Sequence, residues 1–221
     1  MLTKYGWITA ITIALLIIAS GLNVYLIYPV SFLILGSLAS KMNLKNEDNK
    51  GRTVAQVLAN SGVAGILVII YLMTQNEFLL IAFVISFSVA LSDTFSSEIG
   101  RRFGKIPISI CTLKPIQRGL SGGISLTGTL GGVFGSLCIS TIYYSHKYDL
   151  QNTAIVFVLG IIGMLIDSVI GCSIQAKFSN GQIVTETGKR DNLIKGYFII
   201  DNNMTNFLSI LITILIYLTF L

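Results

Sequence analysis

Charge is scarce in this chain. Only 11% of its 221 residues are Asp, Glu, Lys or Arg, where a soluble domain carries roughly 25%, so a water-facing globular surface is excluded. Histidine is scarcer: His146 is the single one. It falls in a short connection beside Lys147 and Asp149, a surface position away from the other acids, so His-based acid–base or Ser-His catalysis has no support. The three cysteines, Cys111, Cys138 and Cys172, are odd in number, and the last two lie inside apolar stretches. Neither a disulfide framework nor a Cys-His metal spacing follows. Apolar and polar residues do not alternate strictly, which removes a membrane β-barrel. There is no internal repeat and no low-complexity tract.

What the chain has is apolar length. Hydrophobic residues make up 53%, mean hydropathy is +0.78, and runs of ~20 residues recur, each able to cross ~30 Å of hydrocarbon. A backbone in lipid must satisfy itself, so continuous apolar runs imply helices. The expected fold is all-α: a polytopic integral membrane helical bundle forming one transmembrane domain. Its seven helices are predicted at about 5–20, 24–41, 53–74, 77–99, 121–144, 153–177 and 203–221. Gly21-Leu22-Asn23 is the turn that divides the first two. Lys4 precedes an apolar run as in a signal peptide, but no small-residue cleavage site follows, so a retained helix is expected.

The net charge of +5 is not a nucleic-acid signature. In the seven-helix arrangement Lys4, the 41–52 and 101–118 loops, and Lys177, Lys189, Arg190 and Lys195 share one face, and only Lys147 falls on the other. Basic loops stay inside. The N-terminus is therefore expected in the cytoplasm and the C-terminus outside, with a lipid bilayer and no nucleic acid as partner; homo-oligomer formation is left open.

Several polar residues are out of place in lipid. Asp93, in Ser92-Asp93-Thr94-Phe95-Ser96-Ser97-Glu98-Ile99-Gly100, lies seven residues before Gly100, ~10 Å into its helix. A carboxylate there costs ~2.5–3.5 kcal/mol on insertion scales, which a cation, a hydrogen-bond network or a water-filled cavity must offset. Asp167 is ten residues before Lys177, ~15 Å into its helix. Asp201-Asn202-Asn203 opens the last helix, where Asp201 has the simpler reading of an N-cap. Asn60 is an intramembrane amide needing a partner. Asp93 and Glu98 lie about 140° apart around a helix, so they share one metal only if the helix unwinds; otherwise one serves a cation and the other a Lys or Arg.

The next loop supplies the complement. Arg101, Arg102, Lys105, Lys114 and Arg118 suit phosphate oxygens, though topology and anionic lipid alone account for basic residues on that face. Gly119-Leu120-Ser121-Gly122-Gly123 then opens the fifth helix, where glycine-rich backbone can approach a phosphate and present N–H groups. It does not follow the Walker pattern. The later pairs Gly128/Gly132 and Gly131/Gly135 have helix-packing spacing. Intramembrane acids, a basic loop and a glycine turn together point to an Mg²⁺–phosphate site.

The motifs Asp93–Gly100, Leu120–Gly128, Asp167–Gly171 and Asp201–Asn203, with Gln56–Gly62 upstream, resemble in order the signatures of a membrane family that includes transmembrane protein 19 and plant phytyl-phosphate kinase. Phe95-Ser96 stands where that family usually has Trp-Ala or a similar pair. Glu98–Lys105 is also similar to the segment after the acidic motif of CTP-dependent phytol and dolichol-type lipid kinases. The resemblance implies CTP as phosphoryl donor, Mg²⁺ as cofactor and an isoprenyl (phytyl- or geranylgeranyl-type) monophosphate as acceptor. On that basis Asp93, Glu98, Asp167 and Asp201 are the expected catalytic residues, with Asp93, Glu98 and Asp167 on the metal. Asn60, Arg101, Arg102, Lys114, Arg118, Ser121, Gly122, Gly123, Asn202 and Asn203 are expected to bind substrate or nucleotide. The rival readings are an ion-coupled transporter or lipid flippase and a nucleotidyltransferase forming a CDP-lipid.

Overall fold

The computed structural model describes residues 2–42, 51–181 and 183–220; Lys45, Glu47, Asp48 and Lys50 of the predicted 41–52 loop lie outside them. Among the described residues seven helices follow in order: α1 Lys4–Ala19, α2 Ile27–Lys41, α3 Val54–Thr74, α4 Phe78–Phe103, α5 Leu126–Lys147, α6 Leu150–Ser173 and α7 Asn202–Thr219. A 3-10 turn, Asn23–Leu26, runs straight into α2. Six helical segments are long and apolar enough to cross a membrane. The first helix is short, 16 residues or ~24 Å, because the chain reverses at Gly21, whose φ of 72° suits glycine.

Caps set several boundaries. Thr53 and Gln56 form a reciprocal capping box at α3, with Gln56 Oε1 accepting the Thr53 N–H at 2.8 Å. Asp149 caps α6 by accepting the Asn152 N–H at 3.0 Å, which starts that helix three residues before its predicted position. At α5 the start moves the other way. Gly119 and Gly122 have φ of 90° and 84°, which no α-helix accommodates, and Ser125 is the N-cap, accepting from Gly128 N at 3.2 Å. The glycine turn thus precedes the helix instead of opening it. In contrast α4 runs on to Phe103, so Glu98, Arg101 and Arg102 are helical; Gly104 ends it, ahead of the helix-disfavouring Ile106-Pro107 step.

Helix α4 is the centre of the bundle, in contact with α2, α3, α5, α6 and α7, and Phe83, Phe87 and Leu91 on it are fully buried. Close approach to α5 depends on the glycine stripe. A Cβ on Gly135 would lie 2.7 Å from Leu91 O, and one on Gly131 3.0 Å from Phe95 O. Serines tie the helices across this contact. Ser92 donates to Gly132 O at 2.9 Å, Ser88 to Val156 O at 3.0 Å, and Ser136 to Phe157 O at 2.7 Å. Small residues plus hydroxyl bonds are how helices associate without a hydrophobic drive.

The 178–202 stretch, expected to be a loop, carries a three-stranded antiparallel sheet, so the fold is helical but not purely so. Strands β3 (Lys177–Asn180), β4 (Ile183–Thr185) and β5 (Leu193–Lys195) lie in the order β4-β3-β5. Gly181, with φ of 68°, makes the hairpin turn. A two-stranded ladder joins β1 (Ile108–Ser109) to β2 (Gly123–Ile124). Cys111 and Cys172 form a disulfide that pins the loop after β1 to the end of α6. The odd cysteine count hid this pair, and Cys138 is the free one.

The two ends of the bundle differ. At one end the N-terminus pairs with Arg52 through a Leu2–Arg52 bridge, and the sheet and the α4–α5 connection gather there. At the other, Tyr25, Tyr28, Phe83 and His146 cluster. His146 is not a plain surface residue: its ring lies edge-on to Tyr25 at 5.4 Å and its Nδ1 is 3.4 Å from the Tyr28 hydroxyl. Lys147 sits over the Tyr25 ring.

Candidate functional site

A polar cavity of about 460 Å³ opens at the end that holds Arg52, the glycine turn and the sheet. Its walls come from α3, α4, α6 and α7 and from the α4–α5 connection. Helix α4 contributes Asp93, Thr94, Ser97, Glu98 and Arg101; α6 contributes Asp167 and Ser168; α3 contributes Asn60; α7 contributes Asn202, Asn203 and Asn206. Arg118 to Gly123 form the rim opposite α4.

Asp167 is buried and held by α7. Ser209 Oγ donates to its Oδ2 at 3.2 Å, and Asn206, its amide nitrogen turned inward, donates to the same oxygen at 3.2 Å and to Asn202 O at 2.9 Å. Asp93, on α4, lines the same cavity. Their placement follows from helix position: both are a few turns inside the same bundle end, on adjacent helices that pack closely. Glu98 has a separate arrangement. Arg101, one turn further along α4, approaches it to 3.4 Å, and Arg52 also feels its charge. Glu98 thus faces an arginine, as one of the two expected arrangements has it for one of the acids.

Asn60 is buried; its amide nitrogen donates to Gln56 O at 2.8 Å, while its Oδ1 meets no donor among the described residues. An orphaned buried acceptor costs ~1–3 kcal/mol, and this one lines the cavity beside the carboxylates.

The glycine turn is already engaged. Glu186, on the segment after β4, accepts the Ser121 N–H on Oε1 at 2.5 Å and the Ser121 hydroxyl on Oε2 at 3.0 Å. Lys177 Nζ donates to Ser121 O at 3.0 Å. Burial lowers the Lys177 pKa from its usual value, with Glu186 opposing and Lys195 adding to the effect. Gly122 lies so close to Cys172 that a Cβ there would be 2.6 Å from the Cys172 backbone nitrogen, and Gly123 pairs with Ser109 in the β1–β2 ladder. Arg118 donates to Gly104 O.

Three expected site residues lie outside the cavity walls. Asp201 is the N-cap of α7, accepting the Met204 N–H at 2.8 Å, and is exposed. Arg102 is exposed on α4, 100° round the helix from Arg101. Lys114 ends a tight turn in which its carbonyl accepts the Ser109 N–H at 2.9 Å, and its side chain is exposed. Conversely, Arg52, Gln56, Ser168 and Glu186 line the cavity and are absent from the expected set. Arg52 stands in plain view four residues before Gln56, yet its sequence context signals only topology. Glu186 lies in the polar stretch expected to be a loop.

Among the described residues no three His, Cys, Asp or Glu side chains form a ready metal cluster, so the expected Asp93, Glu98 and Asp167 set is not preassembled. Mg²⁺ typically uses one or two carboxylates and completes its shell with water and substrate phosphates. Asp93 and Asp167, with the unsatisfied Asn60 Oδ1 nearby, fit that donor set.

These features define a polytopic helical membrane protein with a polar cavity, lined by carboxylates and arginines, sunk into one end of its bundle. The chain belongs to the integral membrane protein DUF92 family, whose model matches residues 1–214. It is 36% identical over 158 residues to an uncharacterized membrane protein of Methanocaldococcus jannaschii, covering 69% of this chain and 66% of that protein. It is 30% identical to Protein PGR of Arabidopsis thaliana, covering 84% and 78%, and 29% identical to chloroplastic Protein VTE6 of the same plant, covering 66% and 48%. The chain thus spans about half of VTE6 and about two thirds of the archaeal protein. No solved structure matches.

Proposed function

We propose that this protein is a CTP-dependent kinase converting an isoprenyl monophosphate to its diphosphate at the cytoplasmic membrane surface. The observation that carries the reading is a cavity in which two intramembrane carboxylates, Asp93 and Asp167, face a rim bearing Arg52, Arg101 and Arg118. Carboxylates alone suit a cation and arginines alone an anion; together they suit a metal-bound polyphosphate. The choice of CTP and of an isoprenoid rests on the motif likeness to plant phytyl-phosphate kinase and to CTP-dependent lipid kinases.

Phosphoryl transfer needs positioning and charge neutralisation more than covalent chemistry. The acceptor phosphate oxygen bonds to the terminal phosphorus of the nucleotide while the bond to the bridging oxygen breaks, releasing CDP. The acceptor is already ionised, so a general base is unnecessary and the remote His146 is no obstacle. Arg101 and Arg118 hold donor phosphates, Arg101 staying oriented by Glu98. Asn60 and Asn203 offer amide groups to the ligand. Asp93 and Asp167 would hold a Mg²⁺ ion, which would supply positive charge to offset that of the phosphates.

The test is product identity. Purified protein in lipid nanodiscs, given phytyl or geranylgeranyl monophosphate and each nucleoside triphosphate in turn, should form lipid diphosphate and nucleoside diphosphate, fastest with CTP. Pyrophosphate release would indicate a CDP-lipid-forming nucleotidyltransferase instead. Vesicle uptake without nucleotide turnover would indicate a transporter.

A further inference from the structure

A second, apolar cleft of about 180 Å³ lies between α1 and α2. The two helices join at the Asn23–Leu26 turn and then part company, α1 packing on α3 and α2 on α4. The opening between them is lined by Ala10 and Ala14 on one side, Pro29 and Leu33 on the other, and Val57 and Phe87 at its floor. At one end this cleft meets the polar cavity: Arg52 and Gln56 line both.

Arg52 is built into that junction. Its guanidinium lies over the Phe32 ring at 5.0 Å and against Gly36, where a Cβ would come within 2.9 Å of Nη2. A cation fixed at the mouth of an apolar slot matches one kind of molecule, a single apolar chain with an anionic head. From Trp7 to Ala14 the slot runs ~10 Å along the bundle, enough for the head-proximal part of a tail.

We propose that the α1–α2 cleft holds the tail of a phosphorylated isoprenoid, with Arg52 and Gln56 receiving its phosphate where the cleft opens into the polar cavity. This rests on the kinase reading for the identity of the lipid, and it places the acceptor on the α2–α3 side, with the nucleotide left to the Arg118 rim. The tail's path fixes which acceptors fit: a branched single chain enters, whereas two acyl chains do not.

The experiment is photolabelling, which needs no turnover. Geranylgeranyl monophosphate carrying a diazirine on its second isoprene unit is irradiated with the full-length protein in nanodiscs. Label is expected on α1 and α2 peptides, competed by unlabelled geranylgeranyl monophosphate and not by phosphatidic acid. Ala10→Phe and Ala14→Phe, each checked for an unchanged melting temperature, should lower labelling at least fivefold. In the transfer assay they should raise KM at least tenfold for the long acceptor and much less for dimethylallyl monophosphate, whose single isoprene unit reaches least far into the cleft. Label elsewhere, label in the cleft competed equally by phosphatidic acid, or an unaffected long-acceptor KM would overturn the proposal, even if transfer occurs. Specific cleft labelling without transfer from any nucleotide would uphold the cleft and reject the kinase.

Discussion

Glu186 and Ser121 are joined twice, through the Ser121 N–H at 2.5 Å and its hydroxyl at 3.0 Å. A carboxylate thus sits on the group that a phosphate would seek at the glycine turn. Removing its charge should favour an incoming anion. Glu186→Gln is expected to lower the apparent KM for CTP about threefold at low ionic strength, the advantage fading as salt screens it. An unchanged or higher KM would mean that Glu186 holds the turn in shape and does not compete for it.

In the proposed kinase Asp93 and Asp167 hold the metal. Asp93→Asn and Asp167→Asn should each reduce transfer by at least a hundredfold. Neither should lower thermal stability, because an amide is cheaper than a carboxylate in the membrane. The Asp167→Asn side chain also keeps an oxygen for the Ser209 hydroxyl. Activity and melting temperature, measured on the same preparations, check both halves.

Lys177 is expected to mark the alkaline limit. Burial lowers its pKa, so its ammonium is lost at a lower pH than that of an ordinary lysine. CTP affinity should then fall as pH rises through that lowered value. Lys177→Arg keeps the charge, and the alkaline limb of kcat/KM should move upward in pH. A profile identical to wild type would mean that the Lys177 bond to Ser121 O does not shape the nucleotide site.

The bundle itself can be tested at two glycines. Gly135→Ala would press a methyl against the Leu91 backbone, with its carbon 2.7 Å from the carbonyl oxygen, and should destabilise by about 1–3 kcal/mol, as over-packing does. A Cβ at Gly65 meets nothing within 4 Å, so Gly65→Ala should be neutral or slightly stabilising. Reversible denaturation in mixed micelles reads both.

The helices were legible because lipid imposes a simple rule: long apolar runs must be helical. Asp93 and Asp167 were legible for the same reason, since a carboxylate in such a run needs an explanation. The rest depended on long-range contact. Asp201 at a helix start looks alike whether it only caps or also lines a site, and only the structure shows its bond to Met204 N and its place outside the cavity walls. Glu186 had nothing to mark it in a polar segment until the hairpin turning at Gly181 carried it to Ser121. The glycine turn misled about α5 because its backbone angles, not its composition, decide where the helix begins. The importance of Arg52 lies in its position, where the cavity and the cleft meet, which its sequence context does not mark.

The central claim is that the cavity transfers a phosphoryl group between a nucleotide and a membrane-borne phosphate. The most direct measurement follows terminal-phosphate-labelled CTP incubated with geranylgeranyl monophosphate, Mg²⁺ and the purified protein. The account predicts label in the lipid diphosphate in equal amount to the CDP released, abolished by EDTA and by Asp167→Asn. Label remaining in CTP or appearing only as inorganic phosphate, with lipid binding intact, would contradict it.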